Sequence, residues 1–169
     1  LADAIKQVDE GKGAGITCPC CKQFVKEYKR KLNSTMASGL VWLVSQYVNK
    51  KDWVHVNNTA PRYLIKGGDF AKLVHWGLVI RKPNTDKTKH SSGLYMPTTE
   101  GIAFARSKIV VPAYIYLYNG RVKGFDKEET TIVNALGKRF DYQELIEEHP
   151  LYSYEQAGEL PCTLRAQAS

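Results

Sequence analysis

Residues 69–99, DFAKLVHWGLVIRKPNTDKTKHSSGLYMPTT, decide how the rest of the chain is read. Asp69 can cap a helix, because its carboxylate can accept a free backbone N–H of the first turn. Phe70, Leu73, Val74 and Trp76 supply the apolar face of that helix, and Gly77 is a left-handed stop. Residues 78–80 are short and β-rich, which predicts a strand. Residues 81–92 are polar, basic and rich in turn formers. Residues 94–96 predict the returning strand, and Thr98 or Thr99 can cap a further helix over TEGIAFARSK.

Helix, strand, basic loop, strand, helix is the segment order of a winged helix. The pieces Trp76-Gly77-Leu78-Val79 and Gly93-Leu94-Tyr95, followed by Thr99-Glu100-Gly101, resemble the end of a recognition helix, the wing, and the helix after it in MarR-like and related regulators.

Upstream, residues 53–56 (WVHV) predict a small strand able to pair with the wing strands, and residues 57–60 a turn. Thr59 can cap a helix with Pro61 near its start, where the missing N–H costs nothing. Tyr63, Leu64 and Ile65 are its apolar residues, and Lys66-Gly67-Gly68 is a turn. Helix, glycine turn, helix is helix-turn-helix spacing. Asn33 or Ser34 can cap a longer helix reaching residues 47–49. Met36, Leu40, Leu43, Val44 and Tyr47 give it one buried stripe, with Trp42 off the stripe. Residues 22–32 place Phe24, Val25, Tyr28 and Leu32 at helical spacing among Lys22, Lys26, Lys29, Arg30 and Lys31, an amphipathic basic helix. Residues 2–8 predict a short helix and residues 10–15 a loop.

Downstream, residues 113–118 predict a strand, Asn119-Gly120 a type I′ hairpin turn, and residues 121–125 its partner. Residues 131–136 are ambiguous, ended by Gly137. Asp141 can cap YQELIEE, which Pro150 stops, and an extended or disordered tail follows from Tyr152. The expectation is an α+β protein. It has an N-terminal Cys-rich basic segment (1–32), a winged helix-turn-helix core (33–110), a β-hairpin plus helix extension (111–150) and a tail (151–169).

The net charge of +7 is unevenly placed. Residues 1–125 carry 20 Lys/Arg against 8 Asp/Glu, and residues 126–169 carry 4 against 9. A basic body with an acidic end suits a polyanion; the alternatives are a solvated surface and an acidic protein partner. No apolar run approaches the roughly 18 residues of a membrane helix, and the first residues lack signal-peptide character. The expected setting is the cytoplasm, with no membrane partner.

The wing offers Arg81, Lys82, Lys87, Lys89 and His90 against Asp86. Cations there would displace counterions from a phosphate backbone and make binding salt-dependent. Lys72 and His75 would face the nucleic acid from the second helix of the helix-turn-helix, with Arg62 and Lys66 beside them and Lys29, Arg30 and Lys31 as a further phosphate-facing patch. The bland readings are a solvated hairpin loop and, for His75, a packed or capping residue. No Arg stands where a bidentate guanine contact is expected, which argues against strong base reading.

Cys18 and Cys21 form a C-x-x-C pair with Cys20 inside it, a spacing that can make one knuckle of a structural zinc site. A closed site takes four ligands, and Cys20 and Cys162 are the further ligands expected, with His75, His149 and His55 as other candidates. The competing readings are a glutaredoxin-type thiol motif, out of place after a Gly-rich segment, and reduced cysteines without a role. No H-E-x-x-H, Walker A, G-x-S-x-G or dinucleotide fingerprint is present, and no enzyme is expected.

Cys18-Pro-Cys-Cys21, Tyr28-Lys-Arg-Lys-Leu-Asn33, Gly68-Asp69 with Ala71-Lys72-Leu73, Trp76-Gly77-Leu78, Thr99-Glu-Gly-Ile-Ala-Phe104, Val111-Pro112 and Phe140-Asp-Tyr142 are similar to a group of small bacteriophage and prophage proteins. That resemblance implies a phage origin and little about mechanism. The expected function is nucleic-acid binding, with double-stranded DNA as the partner, in phage gene regulation or DNA handling. The alternative is an interaction module that inhibits a host polymerase, nuclease or defence complex. A homodimer is compatible with either.

Overall fold

Asn33 sets the start of the helix on which the larger part of the protein is built. Its side chain accepts the Met36 N–H at 3.0 Å and the Thr35 hydroxyl at 2.7 Å. The computed structural model describes residues 1–153, so the expected tail beyond Ser153, with Cys162, lies outside the described residues. In chain order the elements are α1 (Ala2–Gly11), β1 (Ile16–Thr17), β2 (Phe24–Val25), β3 (Tyr28–Lys31), α2 (Ser34–Lys50), β4 (Val54–His55), α3 (Val56–Thr59) and α4 (Arg62–Ile65). A 3-10 helix (Phe70–Trp76) follows, then β5 (Val79–Arg81), β6 (Leu94–Pro97), α5 (Thr99–Ala105), β7 (Val111–Pro112), β8 (Tyr114–Tyr118), β9 (Arg121–Phe125), β10 (Glu129–Thr130), α6 (Ile132–Leu136) and α7 (Tyr142–Glu148). This is an α+β protein, and the strand pairs of its two three-stranded sheets are antiparallel.

The chain forms two units: Leu1–Lys31 with Pro112–Glu128, and Leu32–Val111 with the described residues from Glu129 onward. Residues expected to form one C-terminal extension are thus shared, the 114–125 hairpin going to the first unit and the helices after it to the second.

In the second unit α2 is the core. Met36, Ala37, Leu40, Val41, Trp42, Leu43, Val44 and Val48 are all buried, so the helix is enclosed on every side rather than along the single stripe expected, and Trp42 joins the core. The cause is the number of elements packed on it: α4, the 3-10 helix, β4, β6, α5, α6 and α7 all meet α2. The sheet of this unit has the order β4–β6–β5, with Val54 opposite Tyr95 and Ile80 opposite Met96. Thr98 caps α5 by accepting the Gly101 N–H at 3.0 Å, and its hydroxyl donates to the Gly77 carbonyl at 2.6 Å. Thr131 caps α6, settling the ambiguous segment as helix, and Asp141 caps α7 as expected.

Several expectations are corrected. Residues 22–32 do not form a basic helix: β2 and β3 occupy them, β3 pairing residue for residue with β8. The partner segment Tyr-Ile-Tyr-Leu-Tyr strongly favours a strand, and cross-strand pairing with it outweighs the local helical spacing. Thr59 does not cap α4; its hydroxyl donates back to the His55 carbonyl at 2.7 Å. The helix expected from Pro61 is the single turn α4, while the turn expected at residues 57–60 is largely the one-turn helix α3, with Ala60 extended after it. Asp69 does not cap the helix after it. Its carboxylate accepts from the Asn33 amide at 3.1 Å and pairs with Lys72, tying the 3-10 helix to the start of α2. Val74 leaves the apolar face and is 40 % exposed, while Phe70, Leu73 and Trp76 are buried. A 3-10 helix repeats every three residues, so i, i+3 and i+6 share a face and Val74 falls outside it.

Candidate nucleic-acid interface

The residues expected to grip nucleic acid fall into two groups, one in each unit. In the second unit α4 carries Arg62 at its start and Lys66 just past its end, both exposed. The 3-10 helix carries Lys72 and His75, both half-buried. Lys72 is engaged with the Asp69 carboxylate, so it is held to its own helix. Beside them stand exposed apolar side chains: Tyr63 is 48 %, Val74 40 % and Ile80 44 % exposed.

β5 and β6 are joined by the basic loop, whose residues 82–90 are all exposed. The loop is nevertheless built by its own polar side chains. The Lys82 N–H donates to the Leu94 carbonyl at 2.9 Å, and the Ser92 hydroxyl donates to the Lys82 carbonyl at 2.6 Å, closing the base. At the tip the Asn84 amide donates to the carbonyls of Asp86 and Lys89, and Asp86 accepts both the N–H and the hydroxyl of Thr88. Those two Thr88 donors, with a smaller contribution from Lys89, hold the Asp86 carboxyl below its usual range. Lys89 lies 3.7 Å from Asp86 with its side chain 70 % exposed, a pairing that solvent screens heavily. Lys82 sits 5.9 Å from the centre of the Trp53 ring. Arg81, Lys82, Lys87 and Lys89 against Asp86 leave a local charge of +3 on an ordered hairpin. The structure thus brings Arg81, Lys82, Lys87, Lys89 and His90 together on one hairpin, with Arg62, Lys66, Lys72 and His75 on the two helical turns before it.

In the first unit Lys29, Arg30 and Lys31 lie on β3. Because side chains alternate along a strand, Lys29 and Lys31 share a face while Arg30 takes the other. Cross-strand pairing puts Lys29 opposite Tyr116, Arg30 opposite Ile115 and Lys31 opposite Tyr114. Lys29 donates to the Asp126 carboxylate at 2.7 Å. Chiefly through that contact Asp126 is held well below the usual carboxylate range, with help from the Glu128 N–H and the Tyr116 hydroxyl. The tyrosines of β8 were not among the expected site residues, although their signal is plain in the sequence: Tyr at 114, 116 and 118 is period-two alternation.

The cysteines stand in the turn between β1 and β2, where the Lys22 N–H donates to the Cys18 carbonyl at 3.0 Å and the Cys18 N–H to the Gln23 carbonyl at 2.8 Å. Lys22 takes a left-handed conformation with φ of 61°. Cys18 is half-buried, and Cys20 and Cys21 are exposed. The Cys18 thiol is pulled below its ordinary range, first by the backbone N–H of Cys21, then by that of Cys20, then by the Cys21 thiol. Among the described residues no group of three or more His, Cys, Asp and Glu is gathered to hold a metal ion. His55, His75 and His149 belong to the other unit, and among the described residues no helix is long and apolar enough to cross a membrane.

No protein-family model, no curated protein and no solved structure matches this chain with significance.

Proposed function

We propose that the second unit is a winged helix and that it binds double-stranded DNA, in a regulatory or DNA-handling role in a phage-infected cell. The observation that carries this reading is the sheet order β4–β6–β5, with the basic hairpin between β5 and β6. The order of α2, β4, two helical turns, β5, hairpin and β6 supports it. In this reading Arg81, Lys82, Lys87 and Lys89 lie against phosphates, Arg62 and Lys66 add contacts from the preceding turn, and the neutral hydroxyls of Thr85 and Ser91 donate to phosphate oxygens. The 3-10 helix spans only seven residues and presents Val74 and His75 with a committed Lys72. Base reading is therefore weak, and affinity comes from the backbone. The Cys18–Cys21 turn is proposed as one half of a structural zinc site, its N–H donors favouring the thiolate that zinc requires.

The test is fluorescence anisotropy of a short random duplex across a salt series. The reading requires binding whose logarithm falls steeply and linearly with log salt; absence of binding at low salt overturns it.

Tyr63, Val74 and Ile80, exposed on and beside the 3-10 helix, favour a second reading, in which the fold is a protein-binding platform that inhibits a host machine. A pull-down from nuclease-treated host lysate separates the two. A stoichiometric protein that survives nuclease, and no longer binds the Val74→Asp variant, supports the platform.

A further inference from the structure

The sheet β3–β8–β9 of the first unit has two unlike faces. Ile115 and Leu117 are buried at 0 % and 9 % exposure. Tyr114, Tyr116 and Tyr118, alternating with them, form a half-exposed aromatic row on the other face. Cations stand over this row: Lys29 lies 4.3 Å from the Tyr114 ring centre and 5.7 Å from that of Tyr116, Lys31 5.9 Å from Tyr114, and Lys12 and Lys123 5.8 and 5.7 Å from Tyr118. Across from Tyr116 in β9 is Gly124, which puts no side chain beside that ring. The Tyr116 hydroxyl donates to Asp126 at 2.8 Å, which fixes the ring by its edge. The unit carries 10 Lys/Arg against 6 Asp/Glu.

The geometry points to a binding face for single-stranded nucleic acid: bases stack on the Tyr114, Tyr116 and Tyr118 rings while Lys31 and Lys123 swing out to the phosphates, Lys12 and Lys29 being held by Asp9 and Asp126. Three observations select this ligand. A row of aromatic rings demands planar apolar groups, and the lysines demand regularly spaced negative charge; a nucleic-acid strand carries both. The spacing excludes a duplex. Alternate residues of a strand lie about 6.8 Å apart, twice the roughly 3.4 Å rise of stacked bases, so only unstacked bases can each take a ring. Finally, Tyr118 also lines a cavity of about 250 Å³ with Phe24, Lys26 and Tyr28, a recess able to take a base at the end of the row. The face uses only first-unit residues and stands or falls apart from the duplex reading of the second.

The experiment is anisotropy of labelled oligo(dT) and oligo(U), each of about 12 nucleotides, against the full-length protein and the variants Tyr114→Ala, Tyr118→Ala, Tyr114→Phe and Tyr118→Phe. A short duplex is titrated in parallel, and circular dichroism checks the fold. Each Ala variant is expected to bind oligo(dT) about fivefold to a hundredfold more weakly, the Phe variants like the wild type, and the duplex to be unaffected by all four. Stronger binding of oligo(U) than oligo(dT) would assign the face to RNA and support the proposal equally. Equal binding by wild type and folded Ala variants overturns it. So does displacement of oligo(dT) by polyglutamate at matched charge, since charge alone would then be read. Should the Ala variants misfold, the Phe variants and Lys31→Glu with Lys123→Glu decide: the double charge reversal must lower oligo(dT) affinity, and no change refutes the face.

Discussion

Gly101 in α5 offers the sharpest test of the packing that holds the basic hairpin in place. A methyl added at Gly101 would lie 1.9 Å from the Leu78 carbonyl oxygen and 2.9 Å from the carbonyl carbon, both backbone atoms. Ordinary contact begins near 3.4 Å, so the helix must retreat by about 1.5 Å. That carbonyl accepts the Thr98 N–H at 3.0 Å, and the Thr98 hydroxyl holds Gly77 at 2.6 Å. Retreat therefore strains the cap of α5 and the start of β5 together. In an ordinary helix Gly→Ala gains about 0.5–1 kcal/mol. Here overpacking costs about 1–3 kcal/mol and a displaced backbone hydrogen bond about 1 kcal/mol, so Gly101→Ala is expected to destabilise by about 2 kcal/mol net. The three tryptophans, Trp42, Trp53 and Trp76, all lie in the second unit, so their emission follows its unfolding alone. With a urea slope of about 2 kcal/mol/M, the midpoint should fall by about 1 M. A midpoint that stays put or rises in Gly101→Ala refutes the close approach of α5 to β5.

Asn33→Ala removes the α2 cap and the tie to Asp69, and should cost about 1–2 kcal/mol in the same urea assay; no loss would mean the cap is dispensable. His149 is buried, its Nε2 has no hydrogen-bond partner, and burial pushes its pKa down. The unfolded chain takes up that proton near pH 6.5 while the fold resists it, so stability should fall as pH drops below about 6.5. His149→Gln should flatten that slope, and an unchanged slope contradicts the assignment. Burial first, and then the neighbouring Tyr152, leave Tyr142 with a pKa pushed up to about 12. The ultraviolet titration difference between wild type and Tyr142→Phe should have its midpoint there, and a midpoint near 10 contradicts it. Zinc-loaded protein should retain zinc after desalting and lose it on Cys18→Ser; absence of bound zinc in the wild type refutes the half-site.

Much of the second unit is legible in the sequence because its signals are local and agree. Asp141 is a cap with one meaning, the caps at Asn33 and Thr98 are legible to within one residue, and the polar residues 81–92 between two short apolar runs admit few folds besides a hairpin. What stayed hidden depends on partners distant in the chain. Residues 22–32 carry helical spacing, and only pairing with residues 114–118, over 80 positions away, makes a strand of them. The same distance hid the basic-aromatic face, since neither the lysines of β3 nor the tyrosines of β8 announce the other. Val74 was misplaced because apolar spacing alone does not separate a 3-10 turn from an α turn. The commitment of Lys72 to Asp69 was hidden because Asp69 had a plausible competing role as a cap.

The central claim is that the hairpin between β5 and β6 grips the phosphate backbone. It is tested most directly by measuring random-duplex affinity from low to high salt for wild type and for Lys87→Glu with Lys89→Glu. These side chains lie at the exposed tip, so the fold should be untouched. The account predicts much weaker binding for the variant and a log K against log salt slope shallower by about 2, one unit for each phosphate that a lysine no longer neutralises. Equal affinity with the same slope would contradict it.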